Sequence, residues 1–161
     1  MLNIRQYTAA DTDALWAILE PVFRAGETYL IARDISRADA IKYWCGSSHE
    51  TFVAHDGERL LGTYYLRANQ AGGGAHVANC GYITAPAAQG RGIARAMLSH
   101  SLQRARERGF RAMQFNCVVS TNTRAVQTWE ENGFAVVGTL PEAFAHPTLG
   151  YVDALVMYRK L

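Results

Sequence analysis

The sequence predicts a mixed-sheet α/β domain, and three observations carry that prediction. Strand-like and helix-like periodicities interleave along the chain. An antiparallel hairpin comes early, around the turn Asp56-Gly57, and a strand–loop–helix–strand unit fills the middle. With 161 residues, 49% hydrophobic and 19% charged, the chain is long and apolar enough for one sizeable core. No internal repeat, linker or low-complexity tail divides it.

Each element has a local reason. Residues 2–7 (LNIRQY) alternate apolar and polar and read as a strand, with Thr8 and Asp11 spaced as a capping box. Leu15, Ile18, Leu19 and Val22 then recur at helical spacing to about Phe23. GETYLIARD has no period and reads as a loop. Ser36 and Asp39 form a second capping box, opening a short helix that turns Ile41 and Trp44 inward. The hairpin follows as TFVAH and RLLGTYYLRA. AGGGA is a flexible turn, and HVANCGYIT (76–84) is a strand whose end Pro86 marks.

After the loop at 89–93, Ala94, Leu98, Ser101, Leu102 and Ala105 form one face of a helix that Gly109 is placed to end. AMQFNCVV (112–119) is a strand. Asn122 or Thr121 caps a helix running through Asn132, and Gly133 stops it. The chain closes with two strands, FAVVGTL and YVDALVMY, joined by the irregular piece PEAFAHPTLG. A strand as apolar as ALVMY needs covering, so a homodimer is compatible with it.

Charge and cysteine usage narrow the function classes. A net charge of +2 argues against a nucleic-acid or membrane partner, although six arginines and one acid fall between positions 91 and 111. That stretch reads either as a local anion site or as a solvated helix face. Cys45, Cys80 and Cys117 form no CxxC pair and sit among apolar or small residues, as core thiols do. His49 and His146 lack a second ligand at metal spacing, so no metal site is expected. The N-terminus carries acids and arginine where a signal peptide needs an apolar run, and a cytoplasmic protein is expected.

The stretch QGRGIARAML (89–98) joins a strand to a helix, where free N–H groups and the positive end of the helix dipole suit a phosphate. Gly90 and Gly92 let the backbone approach an anion, and Arg91 and Arg95 can add charge at the rim. A Walker A loop is excluded because the chain has no Gly-Lys pair. A Rossmann fingerprint is excluded because the pattern from Gly90 ends on Arg95. What remains is Gln89-x-x-Gly92-x-Ala94.

This segment resembles the acyl-coenzyme A motif [QR]xxGx[GA] of the GCN5-related N-acetyltransferases (GNAT family). Asn122 and Ala125, followed by Asn132-Gly133-Phe134, resemble the family's second signature. The resemblance covers essentially the whole chain. It implies a single N-acetyltransferase domain over residues 1–161, with a mixed, mostly antiparallel sheet whose two central parallel strands splay, flanked by helices. It implies acetyl-CoA as acyl donor. Main chain around Ile83 and Thr84 would pair with the pantetheine amides, residues Gln89, Gly90, Arg91, Gly92, Ile93 and Ala94 would hold the pyrophosphate, and Asn122 would bind the pantetheine arm.

Two departures from the family pattern stand out. Where the family carries a tyrosine in Tyr-x-x-x-Gly-Phe, this chain has Trp129, and indole supplies no acidic proton. Another group or water then protonates the leaving thiolate, or no acid is needed. The usual glutamate base is also missing from HVANCGYIT, which offers His76 and Asn79, His76 at an exposed strand start. Asn79 and Asn116 are the candidate catalytic amides, with structural amides satisfied by the disrupted strand ladder as the alternative.

N-C-G-Y, F-N-C-V and S-T-N followed by tryptophan more narrowly resemble the branch that acetylates cyclic imino acids such as azetidine-2-carboxylate. On that reading Asn79 and Asn116 touch the acceptor and Trp129 lies near it; in the family's architecture the GETYLIARD loop lines the acceptor side, where Tyr29 packs over a small substrate and Arg33 pairs with a carboxylate, with plain loop-surface residues as the alternative. Glu142, His146, Tyr151 and Asp153 fall in a second segment expected near the acceptor. The acceptor is then a small-molecule amine, an amino or imino acid, with detoxification of a toxic analogue or antibiotic as a role. The alternatives are a protein or peptide N-acetyltransferase and an acyl-CoA-binding sensor without catalysis.

Overall fold

Seven strands and four helices alternate along the computed structural model, which describes residues 1–161. In chain order they are β1 (Leu2–Gln6), α1 (Thr12–Ala25), α2 (Arg37–Trp44), β2 (Glu50–Asp56), β3 (Arg59–Ala68), β4 (Val77–Thr84), α3 (Ile93–Glu107), β5 (Ala112–Val119), α4 (Thr123–Glu131), β6 (Ala135–His146) and β7 (Gly150–Lys160). The sheet order is β1-β2-β3-β4-β5-β7-β6, antiparallel throughout except between β4 and β5. No helix is long and apolar enough to cross a membrane.

Strand alternation divides the side chains between two cores. Ala78 and Cys80 of β4 and Met113 and Phe115 of β5 join Met97, Leu98 and Leu102 of α3 and Trp129 of α4 on one face. Tyr65 and Ile83 join Leu15, Ile18, Leu19 and Phe23 of α1 and Trp44 of α2 on the other. Helix α2 has eight residues, too few to hold alone in water. Trp44 anchors it, fully buried, with its Nε1–H donated to Thr63 Oγ1 at 2.9 Å and its carbonyl accepting from Thr51 Oγ1 at 2.9 Å.

The entry to α1 combines a cap with a charge pair. Thr8 precedes a turn of 3-10 helix and its N–H donates to Asp11 Oδ2 at 2.8 Å, while Arg5 donates to both carboxylate oxygens at 2.8 Å. The Arg5 guanidinium holds the Asp11 carboxyl below the usual carboxylate range, against a smaller opposing effect of burial. A depressed folded pKa gives stability that is complete above the unfolded value near 4 and fades as pH falls below it. Asp11→Asn is therefore expected to lower unfolding free energy at pH 7 by about 1–3 kcal/mol. The gap from wild type should narrow in urea titrations at pH 3, and equal stability at pH 7 would show the pair to be inert.

Several local expectations are corrected. PEAFAH is not an irregular link: it continues β6, and only residues 147–149 turn the chain. The two-register slip between Leu140 and Phe144, with Glu142 at φ 50°, is the irregularity that the proline and polar residues signalled. AGGGA holds a turn of 3-10 helix at Gly72–Gly74. The buried face of α3 centres on Ile93, Met97 and Leu98, and Ala94 is only half-buried at its margin. The apolar strand β7 lies between β5 and β6, so its covering comes from within the sheet, and β6 forms the edge.

Candidate active site

Strands β4 and β5 pair at only two positions, Val77 with Ala112 and Ala78 with Met113. At the next position a side chain takes over, because Asn79 Nδ2 donates to the Gln114 carbonyl at 3.0 Å. Beyond it the strands part. β5 bulges at Asn116 and Cys117, its register on β7 slipping between Phe115 and Val118, which bends it away from β4. Asn79 is 6% exposed, so its amide satisfies a carbonyl that the broken ladder would leave unpaired in the interior.

Register decides which backbone groups face the gap. Asn69 N–H donates to the Val77 carbonyl and Ala85 N–H to the Leu61 carbonyl, each at 2.8 Å, and the β3–β4 register is unbroken between them. The odd-numbered residues of β4 therefore bond β3, and Cys80, Tyr82 and Thr84 turn their N–H and C=O groups toward β5. Thr84 faces the gap with its backbone. Ile83 does not: its backbone belongs to the β3 ladder, its side chain is buried against α1, and Tyr82 takes its place at the gap. The Tyr82 carbonyl already accepts the Tyr29 hydroxyl at 2.8 Å.

At one end of the gap lies a cavity of about 440 Å³ lined by Tyr82, Thr84, Gln89, Gly90, Gly92, Ile93, Ala94, Arg95, Asn122 and Trp129, among others. Gly90 and Gly92 have φ 76° and 79°, left-handed values at which a side chain is strained, and an added Cβ at either would meet nothing within 4 Å. The first helical bond of α3 runs from Ala96 N–H to the Gly92 carbonyl at 3.0 Å, leaving the N–H groups of Ile93, Ala94 and Arg95 without helical partners. This cradle fits a pyrophosphate. Arg91 is exposed and outside the lining, and Arg95 pairs with Glu131 at 3.0 Å. The exposed Arg124, in the first turn of α4, lines the cavity, and its position two residues after Asn122, inside the second signature, was the available signal.

Asn122 caps α4. Its side-chain oxygen accepts from Ala125 N–H at 3.4 Å, and it borders both this cavity and a second one. The second cavity, about 380 Å³, lies between the splayed strands and the α1–α2 face, and Tyr29, Asn79, Asn116 and Trp129 all line it. Asn116 is exposed, not enclosed by apolar neighbours: its Nδ2 donates to Asn69 Oδ1 at 2.7 Å and its Oδ1 accepts from Gln114 at 2.9 Å. Trp129 comes from the opposite face of the sheet, 9% exposed and packed against Tyr82 and Phe115 with ring centroids 5.1 and 5.0 Å away. It floors the gap as an apolar wall.

Arg33 is not in this cavity. Its Nε donates to the Arg24 carbonyl at 2.8 Å, closing the exposed C-terminal end of α1. Glu142, His146, Tyr151 and Asp153 belong to the β6–β7 hairpin and do not line the cavity, and exposed His76 lies just outside β4. Sequence reading missed Arg67, Tyr65 and Tyr43, which do line it. Burial raises the hydroxyls of Tyr29, Tyr65 and Tyr82 and pushes the Cys80 thiol up to about 12, so these groups stay protonated at neutral pH. No three His, Cys, Asp or Glu side chains come together as metal ligands.

A phosphate-sized cradle opening into a cleft between splayed parallel strands is the arrangement that the resemblance to acyl-coenzyme A-dependent transferases implies. Residues 12–134 match the acetyltransferase (GNAT) family. The chain belongs to that family. Over its full length it is similar to the solved structure of a GCN5-related N-acetyltransferase from Kribbella flavida, at 42% identity and a TM-score of 0.94, with 99% of this chain and 98% of that chain covered. The N-acetyltransferase aca1 of Schizosaccharomyces pombe is 33% identical over 100 residues, 60% of this chain, which spans about half (47%) of that relative's length. A phosphinothricin acetyltransferase from Sinorhizobium meliloti, solved with AcCoA, shares the fold at 22% identity and a TM-score of 0.86, with 99% and 88% of the two chains covered.

Proposed function

We propose that this chain transfers the acetyl group of acetyl-CoA to the amine of a small amino or imino acid. One observation carries the reading: none of the 22 residues lining the 380 Å³ cavity is acidic, and Arg67 is its single formal charge. A site for lysine side chains or basic peptides needs carboxylates; a site for an amine that carries its own carboxylate does not. The narrower resemblance of N-C-G-Y, F-N-C-V and Trp129 to the imino acid branch agrees with this.

The donor supplies an acetyl thioester. The 90–94 cradle and Arg124 would hold its phosphates, and the outward N–H groups of Tyr82 and Thr84, with Asn122, its pantetheine arm. An N–H of β4 facing the gap would stabilise the charge that develops on the acyl oxygen. Asn79 and Asn116 orient the acceptor from the floor and rim of the cleft. No histidine or carboxylate lines the cavity, so the acceptor ammonium gives its proton to water and the thiolate leaves without a dedicated acid. Three free cysteines suit the reducing cytoplasm.

A panel of amino acids, imino acids, simple amines and lysine peptides, read as thiol release with acetyl-CoA, tests the reading. Amino or imino acids should be turned over, with kcat/KM rising about tenfold per pH unit below the amine pKa and no plateau between pH 6 and 8. Turnover confined to peptides, or to amines lacking a carboxylate, would overturn it.

A further inference from the structure

We infer that Arg67 is the carboxylate anchor of the acceptor, the residue that makes this site selective for amino and imino acids. The inference rests on the proposed acceptor class and adds to it the group that enforces it.

Arg67 sits on β3 directly opposite Asn79 of β4, so the two side chains leave the same face of the sheet, the face that the cleft opens onto. Tyr65, two residues earlier, shares that face, and its ring lies across Gly81, where an added Cβ would come within 2.6 Å of it. Arg67 and Asn79 therefore border one cavity with the gap between β4 and β5, and the Tyr65 ring over Gly81 forms its adjoining wall.

The guanidinium has no anionic partner. All eight ion pairs of the molecule engage other cations, and the buried Arg67 Nε makes no hydrogen bond. Nearby arginines are placed differently: Arg95 pairs with Glu131, Arg33 closes the end of α1, and Arg91 and Arg124 are exposed, Arg124 on the 440 Å³ cavity instead. The field of Arg67 is felt locally, since its charge adds to burial in lowering the pKa of His49 behind Tyr65. Holding an uncompensated, partly desolvated cation is costly unless an anion completes it. Arginine's planar fork matches a carboxylate with two parallel bonds. Arg67 lines the acceptor cavity and not the donor cavity, which points to the acceptor's carboxylate and away from the phosphates of coenzyme A.

The test compares L-azetidine-2-carboxylate and L-proline with their carboxamides, in wild type, Arg67→Gln and Arg67→Lys. Thiol release reads turnover, calorimetry the acetyl-CoA Kd, and thermal melting the fold. Wild type should prefer acid to amide. Arg67→Gln should lose roughly 10- to 100-fold in kcat/KM on the acids, mainly through KM, with the amides and the acetyl-CoA Kd changed less than about threefold. Arg67→Lys should recover part of the acid activity.

If acids and amides fall together in Arg67→Gln, or the acetyl-CoA Kd rises with them, Arg67 serves the fold or the donor and the anchor is overturned while the acceptor class stands. If wild type takes amides and simple amines as readily as acids, or takes neither acids nor amides, the acceptor class fails and the anchor falls with it. Where Arg67→Gln fails to fold, the acid-to-amide ratio in Arg67→Lys decides, and an unchanged ratio with KM unmoved overturns the inference.

Discussion

Gly92→Glu is expected to raise the Kd for acetyl-CoA at least about a hundredfold. Two costs combine. Gly92 is the N-cap of α3 at φ 79°, a conformation that costs an L-residue about 1–2 kcal/mol. The new carboxylate would also stand at the mouth of the unpaired N–H groups of Ile93, Ala94 and Arg95, competing for the donors that a pyrophosphate needs and repelling its charge. Because a Cβ at this position meets nothing within 4 Å, Gly92→Ala isolates the backbone cost and should weaken binding far less. Calorimetry distinguishes them. Retention of wild-type affinity by Gly92→Glu would remove the phosphate cradle from this loop.

Asn79→Ala should lower stability by about 1–3 kcal/mol and turnover at least tenfold, with a smaller effect on acetyl-CoA affinity. The stability loss follows from the Gln114 carbonyl, which accepts from the Asn79 amide at 3.0 Å at the point where the β4–β5 ladder ends. Removing the amide leaves that carbonyl unpaired and the spread of the two strands unsupported. Asn116→Ala makes the contrast. Asn116 is exposed and bonded to Asn69 and Gln114, so its removal should cost little stability and spare acetyl-CoA binding while reducing turnover. Urea denaturation and steady-state kinetics on both variants decide the matter. Equal loss of acetyl-CoA affinity in Asn116→Ala and Gly92→Glu would erase the division between donor and acceptor cavities.

The loop at 89–94 was legible because its chemistry is local. Two glycines, a following amphipathic run and the exclusion of lysine-dependent and close-packed phosphate loops describe a helix N-terminus whatever packs around it. The caps at Ser36 and Asn122 were legible for the same reason, since each bonds a backbone N–H three residues along its own chain. The acceptor side was harder. Arg33 and the Glu142–Asp153 region looked equally fit for a cleft in sequence, and packing sent the first to the end of α1 and the second into a hairpin.

By itself the sequence determined the order and type of the main elements, the glycine-rich loop that opens α3 and the family to which the chain belongs, because periodicity, caps and glycine dihedrals are set within a few residues. Only the tertiary structure decided that Tyr82 and not Ile83 faces the gap, that Asn79 bridges β4 to β5, and that Arg67 is the one cation lining the cavity between the splayed strands and the α1–α2 face. Those outcomes depend on the register between strands far apart in the chain, where a slip of one residue turns every side chain and backbone group to the other side.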